Sequence, residues 1–259
     1  MRIRRAGLNL LAALALLIMP ALAAAESITI YSDEWCPHNC APDSEKPGYM
    51  IEIAKAVFGK AGHTVTYKVK SWDESLEAAQ KGSCDAIVGA VPTEAPGLVF
   101  PTEAQGASQM IFLAKADSKL AYAGVDSLAD IKIGVIEDYV YDQGELDAYI
   151  AQNKDNPAKV RVTSGNNALD LCIGQLVKGE VDMIVADSAV VNYRLLVMGL
   201  ADMVKEVGQD TLDPIFMAFS PKNPKAKEYA KMVSDGVKQL RASGELKKML
   251  GSYGLKDWR

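Results

Sequence analysis

Residues able to do chemistry gather in one short stretch of this chain and at one distant position. Ser32-Asp33-Glu34-Trp35-Cys36-Pro37-His38-Asn39-Cys40 holds carboxylates, an indole, two thiols and an imidazole, and Asp187 closes an apolar run much later. In an oxidising compartment Cys36 and Cys40 are the natural disulfide candidate, and the bridge would pin the loop between them. Taking Cys36, His38 and Cys40 as soft metal ligands requires a fourth donor that the local sequence does not supply, so no metal and no cofactor are expected. His38 and His63 stand too isolated to argue a catalytic dyad, and no catalytic residue is assigned. Cys84, opening a strand, and Cys172, on a helix, read as buried small apolar residues.

The elements that must position these groups follow from an internal repeat. Lys81-Gly82-Ser83-Cys84-Asp85-Ala86-Ile87-Val88 and Lys178-Gly179-Glu180-Val181-Asp182-Met183-Ile184-Val185 are near copies, each a helix end, a glycine stop and a strand. The amphipathic runs before them, Trp72 to Gln80 and Ala168 to Val177, place apolar residues at helical spacing. Glycine at a helix C-terminus relieves left-handed strain, and the apolar strand after it suits a buried parallel sheet. Two α/β lobes on one plan are therefore expected, with ligands held beyond the carboxyl ends of the strands, in a cleft between them. The first mature strand, Ile28 to Tyr31, delivers Asp33 and Trp35 to that position. The second repeat delivers Asp187 there, with capping of the following helix as its alternative role. The helix Tyr49 to Ala61 and the strands Thr64–Val69 and Asp85–Ala90 complete the first unit. The strand Lys132 to Ile136 opens the second, followed by a helix around Leu146 to Ile150, the strand Lys159 to Thr163 and a helix that Asn166 or Asn167 can cap.

The N-terminus carries Arg2, Arg4 and Arg5, an apolar stretch shorter than a bilayer span, Pro20 and an alanine-rich run, which is the pattern of a secretory signal peptide, with cleavage expected after Ala25 and Ala23 as the alternative. Its removal takes away three arginines and moves the formal charge from −5 to −8. An acidic export product is a poor nucleic-acid binder, so no nucleic-acid partner is expected. The protein is expected in the periplasm as a monomer.

Taken together, Gly48 to Ala54, the repeat at Gly82 to Val88, the Phe100-Pro101 step, Ile133-Gly134-Val135, Gly179 to Asp187 and Leu240 to Leu246 resemble the extracellular solute-binding proteins of family 3, which deliver polar amino acids and similar solutes to ABC importers. The resemblance implies an α/β, two-lobed periplasmic binding protein fold (type II) with a two-strand hinge. Its segments would be the signal peptide at 1–25, lobe one at 26–115, lobe two at 116–213 and a return to lobe one at 214–259, with crossings near Ala114 to Asp117 and near Asp213 to Ala218. It further implies an aromatic stacking on the ligand, an arginine binding a carboxylate and an aspartate binding an amine. Trp35 and Asp187 match the first and the last. The arginine is missing: Glu94 falls at its position, and no arginine lies between Arg5 and Arg161.

A ligand carboxylate against Glu94 would meet like charge in a partly desolvated cleft. A pocket holding Glu94, Asp187 and Asp33 suits a cationic or amine-rich solute, or a neutral polyol. Tyr139 and Tyr141 would add rings and hydroxyls, and a cation over Trp35 or Trp72 would gain about 0.5 to 2 kcal/mol. Solvent exposure for Glu94 and lobe packing for Trp72 are the structural alternatives. The expected role is capture of a small polar solute, an amino acid or amine, followed by docking to an ABC permease in the inner membrane, without enzymatic activity. An accessory or sensor protein that docks a partner is the second reading. An enzyme on the same fold is the third, and with the chain ending at Arg259 no fused catalytic domain is expected.

Overall fold

A computed structural model describes residues 25–137, 139–142, 144–165 and 167–259. The signal-peptide reading, apart from Ala25, and the capping role of Asn166 lie outside the described residues. Among the described residues, no helix is long and apolar enough to cross a membrane.

Two five-stranded sheets build two lobes. The first contains β1 (Ser27–Ser32), β2 (Thr64–Val69), β3 (Ala86–Ala90), β4 (Gly106–Ser108) and β10 (Asp213–Phe219), in the order β2-β1-β3-β10-β4. The second contains β5 (Met110–Lys115), β6 (Ile133–Ile136), β7 (Val160–Thr163), β8 (Met183–Asp187) and β9 (Val204–Gln209), in the order β7-β6-β8-β5-β9. In each sheet the three strands of the β-α-β-α-β unit run parallel, and each of the two strands added at one side pairs antiparallel with the strand before it in the sheet order. Helices α1 (Tyr49–Lys60), α2 (Trp72–Lys81), α6 (Ala226–Ser243) and α7 (Glu245–Ser252) serve the first lobe. The second lobe has α3 (Glu145–Asn153), α4 (Ala168–Lys178) and α5 (Ser188–Met198).

The repeat does equivalent work in both lobes. Gly82 and Gly179 end α2 and α4 at φ of 83° and 74°, where a side chain would be strained. Three residues on, Asp85 Oδ2 accepts the Thr29 N–H at 2.8 Å, and Asp182 Oδ2 accepts the Lys132 N–H at 2.9 Å. Each aspartate thus ties the start of its own strand to the neighbouring parallel strand. Helix α2 starts on a capping box between Ser71 and Glu74. Asn167 stands at the N-cap of α4 without a side-chain capping bond.

The lobe boundary differs from the one read in sequence. Strand β5 was expected in lobe one, yet it pairs with β8 and β9 of the second sheet. The first crossing therefore lies at Gln109, between Ser108 and Met110, and the second at 210–212. The reason is that β5 is buried and apolar on both faces, so its composition is compatible with either sheet and only pairing decides. The short β4 and the polar edge strand β9 carry no period-two pattern strong enough to announce them.

Candidate functional site

The loop after β1 is folded into a rigid staple. Trp35 and Asn39 exchange backbone hydrogen bonds at 2.8 and 3.1 Å, and Cys36 and Cys40 form a disulfide across the same turn. The Tyr49 and Met50 N–H groups at the start of α1 donate to the Pro37 and His38 carbonyls, both at 3.0 Å. Gly48, at φ 103°, lets these segments meet: a Cβ there would lie 2.5 Å from the His38 carbonyl oxygen and closer still to Asn39 Cα.

This staple drives His38 across the cleft. The imidazole is fully buried, with Nδ1 2.7 Å from the Tyr49 hydroxyl and Nε2 3.3 Å from Asp187 Oδ1 of the second lobe. The Trp35 ring lies on it, with centroids 4.1 Å apart. Tyr49 is itself positioned by the Ala107 N–H, and Gly106 leaves room for its hydroxyl, which a Cβ would strike. Burial, followed by the charge of Asp187, raises the Tyr49 pKa well above the phenol range, so the hydroxyl keeps its proton. The consistent arrangement is Tyr49 O–H donating to Nδ1 and Nε2–H donating to Asp187.

Asp187 is 1 % exposed and fully engaged. Oδ1 also accepts the Val190 N–H at 3.0 Å, capping α5, and Oδ2 accepts the Ser108 hydroxyl at 2.7 Å. Burial by itself raises its pKa, but the hydrogen bonds from His38, Ser108 and the Val190 N–H outweigh it and hold the carboxyl below its ordinary value. Although serine, histidine and aspartate meet here, the order is wrong for nucleophilic chemistry. Ser108 donates to the carboxylate and not to the imidazole, so the serine–histidine hydrogen bond of a nucleophilic triad is not formed among these groups.

Beside this buried contact lies an open hollow of about 560 Å³ between the lobes. Trp35, Gly89 and the β3 exit loop line one side, Tyr141 and Asp142 the other, and the hinge segments Ser108–Met110 and 210–215 the floor. Four carboxylates face it, those of Glu94, Asp142, Asp210 and Asp213, with no lysine, arginine or histidine among the lining residues. Asp142 is committed locally, accepting the Gly144 and Leu146 N–H groups at 2.7 and 3.0 Å, and Asp210 accepts the Thr211 N–H at 2.7 Å. None of the four forms a salt bridge among the described residues. Near Trp35, the buried Asn39 Oδ1 accepts no hydrogen bond among the described residues and lies on the side of Gly89.

Of the residues proposed from sequence, Trp35, Glu94 and Tyr141 line this hollow. Tyr141 is nearly buried, its hydroxyl accepting the Ile136 N–H at 2.8 Å, so it shows the hollow little beyond its ring edge. Tyr139 packs on Tyr141 at 5.0 Å between centroids and is half-buried in the second lobe. Asp33 takes the Ser32 hydroxyl, and its carbonyl the Asn39 amide. Trp72 packs against the cluster of Ala79, Cys84 and Ile87 in lobe one, away from the hollow's lining. Asp187 sits behind Ser108. The residues that sequence reasoning passed over are His38, Tyr49 and Ser108 at the contact, and Asp142, Asp210 and Asp213 in the hollow. Only the density of aspartates around 210–213 could have drawn notice.

Residues 28–256 match the profile of the bacterial extracellular solute-binding proteins, family 3. The chain belongs to that family. Solved structures superpose on it at low identity. The L-cystine solute receptor of Neisseria gonorrhoeae, unliganded and open, is 19 % identical with a TM-score of 0.65, over 90 % of this chain and 94 % of that one. An ancestral cationic amino acid solute-binding protein is 21 % identical with a TM-score of 0.63, over 88 % and 95 %. A histidine kinase sensor domain with similarity to periplasmic binding proteins is 20 % identical with a TM-score of 0.60, over 88 % and 95 %. A search of curated protein sequences returned no significant match. At such identities the likeness establishes the two-lobed fold that family 3 shares, in a group extracellular in bacteria.

Proposed function

We propose that this family 3 protein is the periplasmic solute-binding component of an ABC transporter, and that it captures a small cationic or amine-bearing solute without altering it chemically. The observation that carries the reading is the hollow's lining: carboxylates from lobe one (Glu94), lobe two (Asp142) and the second hinge segment (Asp210 and Asp213) line it with no cationic side chain among the lining residues. A cation among these carboxylates is attracted by each of them and joins the lobes that carry them. Trp35 offers the face on which such a cation gains further attraction. The carboxylates of an anionic amino acid would meet like charge there.

Thermal unfolding against diamines, lysine, choline, neutral polyols and acidic amino acids tests this. A solute at a hundred times its dissociation constant adds about 2.7 kcal/mol, which moves the midpoint by several degrees. Stabilisation by cations, weakened in Glu94→Gln and Asp213→Asn, is the expected result. Stabilisation by acidic amino acids instead would refute the reading. A second reading, an accessory or sensor protein that docks a partner, draws support from the buried His38 to Asp187 contact, which joins the lobes through the chain's own groups.

A further inference from the structure

In a two-lobed binding protein the polar groups that face inward from each lobe are ordinarily left to water or to the solute. Here one of them is already matched from the opposite lobe. His38 comes from the first lobe and Asp187 from the second, 149 positions apart, and their side chains are 0 % and 1 % exposed. The ring's other nitrogen is held by Tyr49 at 2.7 Å, and its face is covered by Trp35. The backbone behind it is clamped by the Cys36 to Cys40 disulfide, by two N–H groups of α1 and by Gly48. Such a contact tolerates only a few tenths of an ångström of stretch. Any rotation about the hinge that opens the cleft must break it and leave a buried carboxylate and imidazole to be rehydrated.

We infer that His38 is an intramolecular latch that holds the two lobes together without solute and takes Asp187 out of solute recognition. The inward-facing carboxylate of lobe two is occupied by the chain's own imidazole, so solute selection falls to the groups of the adjoining hollow. The latch stands independently of the proposed cation binding, because no solute takes part in it.

The experiment is a distance distribution by double electron–electron resonance on the solute-free mature protein. Spin labels at Gln80→Cys in α2 and Lys154→Cys beyond α3 put one probe on the exposed surface of each lobe, while the native thiols Cys84 and Cys172 are buried. The wild-type background is expected to give one narrow distribution. His38→Ala is expected to add a second population at a different distance, and His38→Gln, whose amide can donate to Asp187 in place of Nε2–H, to restore the single one. Tyr49→Phe, which keeps the ring packing but removes the hydroxyl that orients the imidazole, is expected to fall between them and serves if His38→Ala does not fold. A solute-free wild type already divided between two distances overturns the latch. So do folded His38→Ala or Tyr49→Phe proteins whose distributions match the wild type.

Discussion

Asp187 receives hydrogen bonds from His38, Ser108 and the Val190 N–H, and this sets what its replacement costs. Asp187→Ala removes the helix cap and strands the imidazole and hydroxyl in a buried place, so a loss of about 3 kcal/mol or more is expected. Asp187→Asn keeps a capping oxygen and should lose less, and urea unfolding of both variants would rank them. The pH dependence follows from the same site. A carboxyl whose folded pKa lies below its ordinary 3.8 contributes stability that is present above that value and is lost as pH falls through the lower, folded value. Thermal midpoints measured from neutral pH down into this acid range should therefore fall more steeply for the wild type than for Asp187→Asn.

At the scale of elements, the two copies of the repeat make a matched test. Asp85→Ala and Asp182→Ala each remove the bond that fixes the start of a central strand, at an expected cost of about 1 to 3 kcal/mol each. Asp85 should be the costlier, because it is less exposed and also accepts the Asn223 amide at 2.7 Å. Since the two aspartates serve different sheets, denaturant unfolding of the double variant should show additive losses. The loop carrying Trp35 and His38 is an element of the same kind, built from non-periodic bonds. Gly48→Ala, forced to a φ of 103° against the His38 carbonyl, should destabilise by more than about 2 kcal/mol. The same change should shift the His38 imidazole resonances, since the loop's seat is lost.

Across the whole molecule, the two crossings at Gln109 and 210–212 lie at the floor of the hollow, so the carboxylates of Asp210 and Asp213 sit where relative motion of the lobes is smallest. Glu94 and Asp142 ride on the two lobes. A cation bound among all four would therefore bridge the lobes, and a dication more strongly than a monocation. Because Glu94, Asp210 and Asp213 are exposed, the attraction is screened by salt. Titration calorimetry should show the affinity for a diamine falling as ionic strength rises, with a smaller salt dependence in Glu94→Gln.

Sequence by itself determined what local physics can encode. Periodic apolar spacing, glycine stops at Gly82 and Gly179, and the short Cys36 to Cys40 separation all act between residues a few positions apart, so two α/β units and the disulfide in the first loop were legible. Glu94 and Trp35 could be placed beside a cleft because strand ends in such units face one way. Tertiary structure alone decided which sheet claims β5, because a strand buried on both faces carries no mark of its partner. It alone decided that His38 meets Asp187, because a hydrogen bond between groups 149 residues apart depends on how two lobes pack and leaves no periodic trace in either segment. It alone decided that Trp72 serves packing in lobe one while Asp210 and Asp213 face the hollow, since the same side chains are equally at home in solvent until the hinge brings them to the cleft.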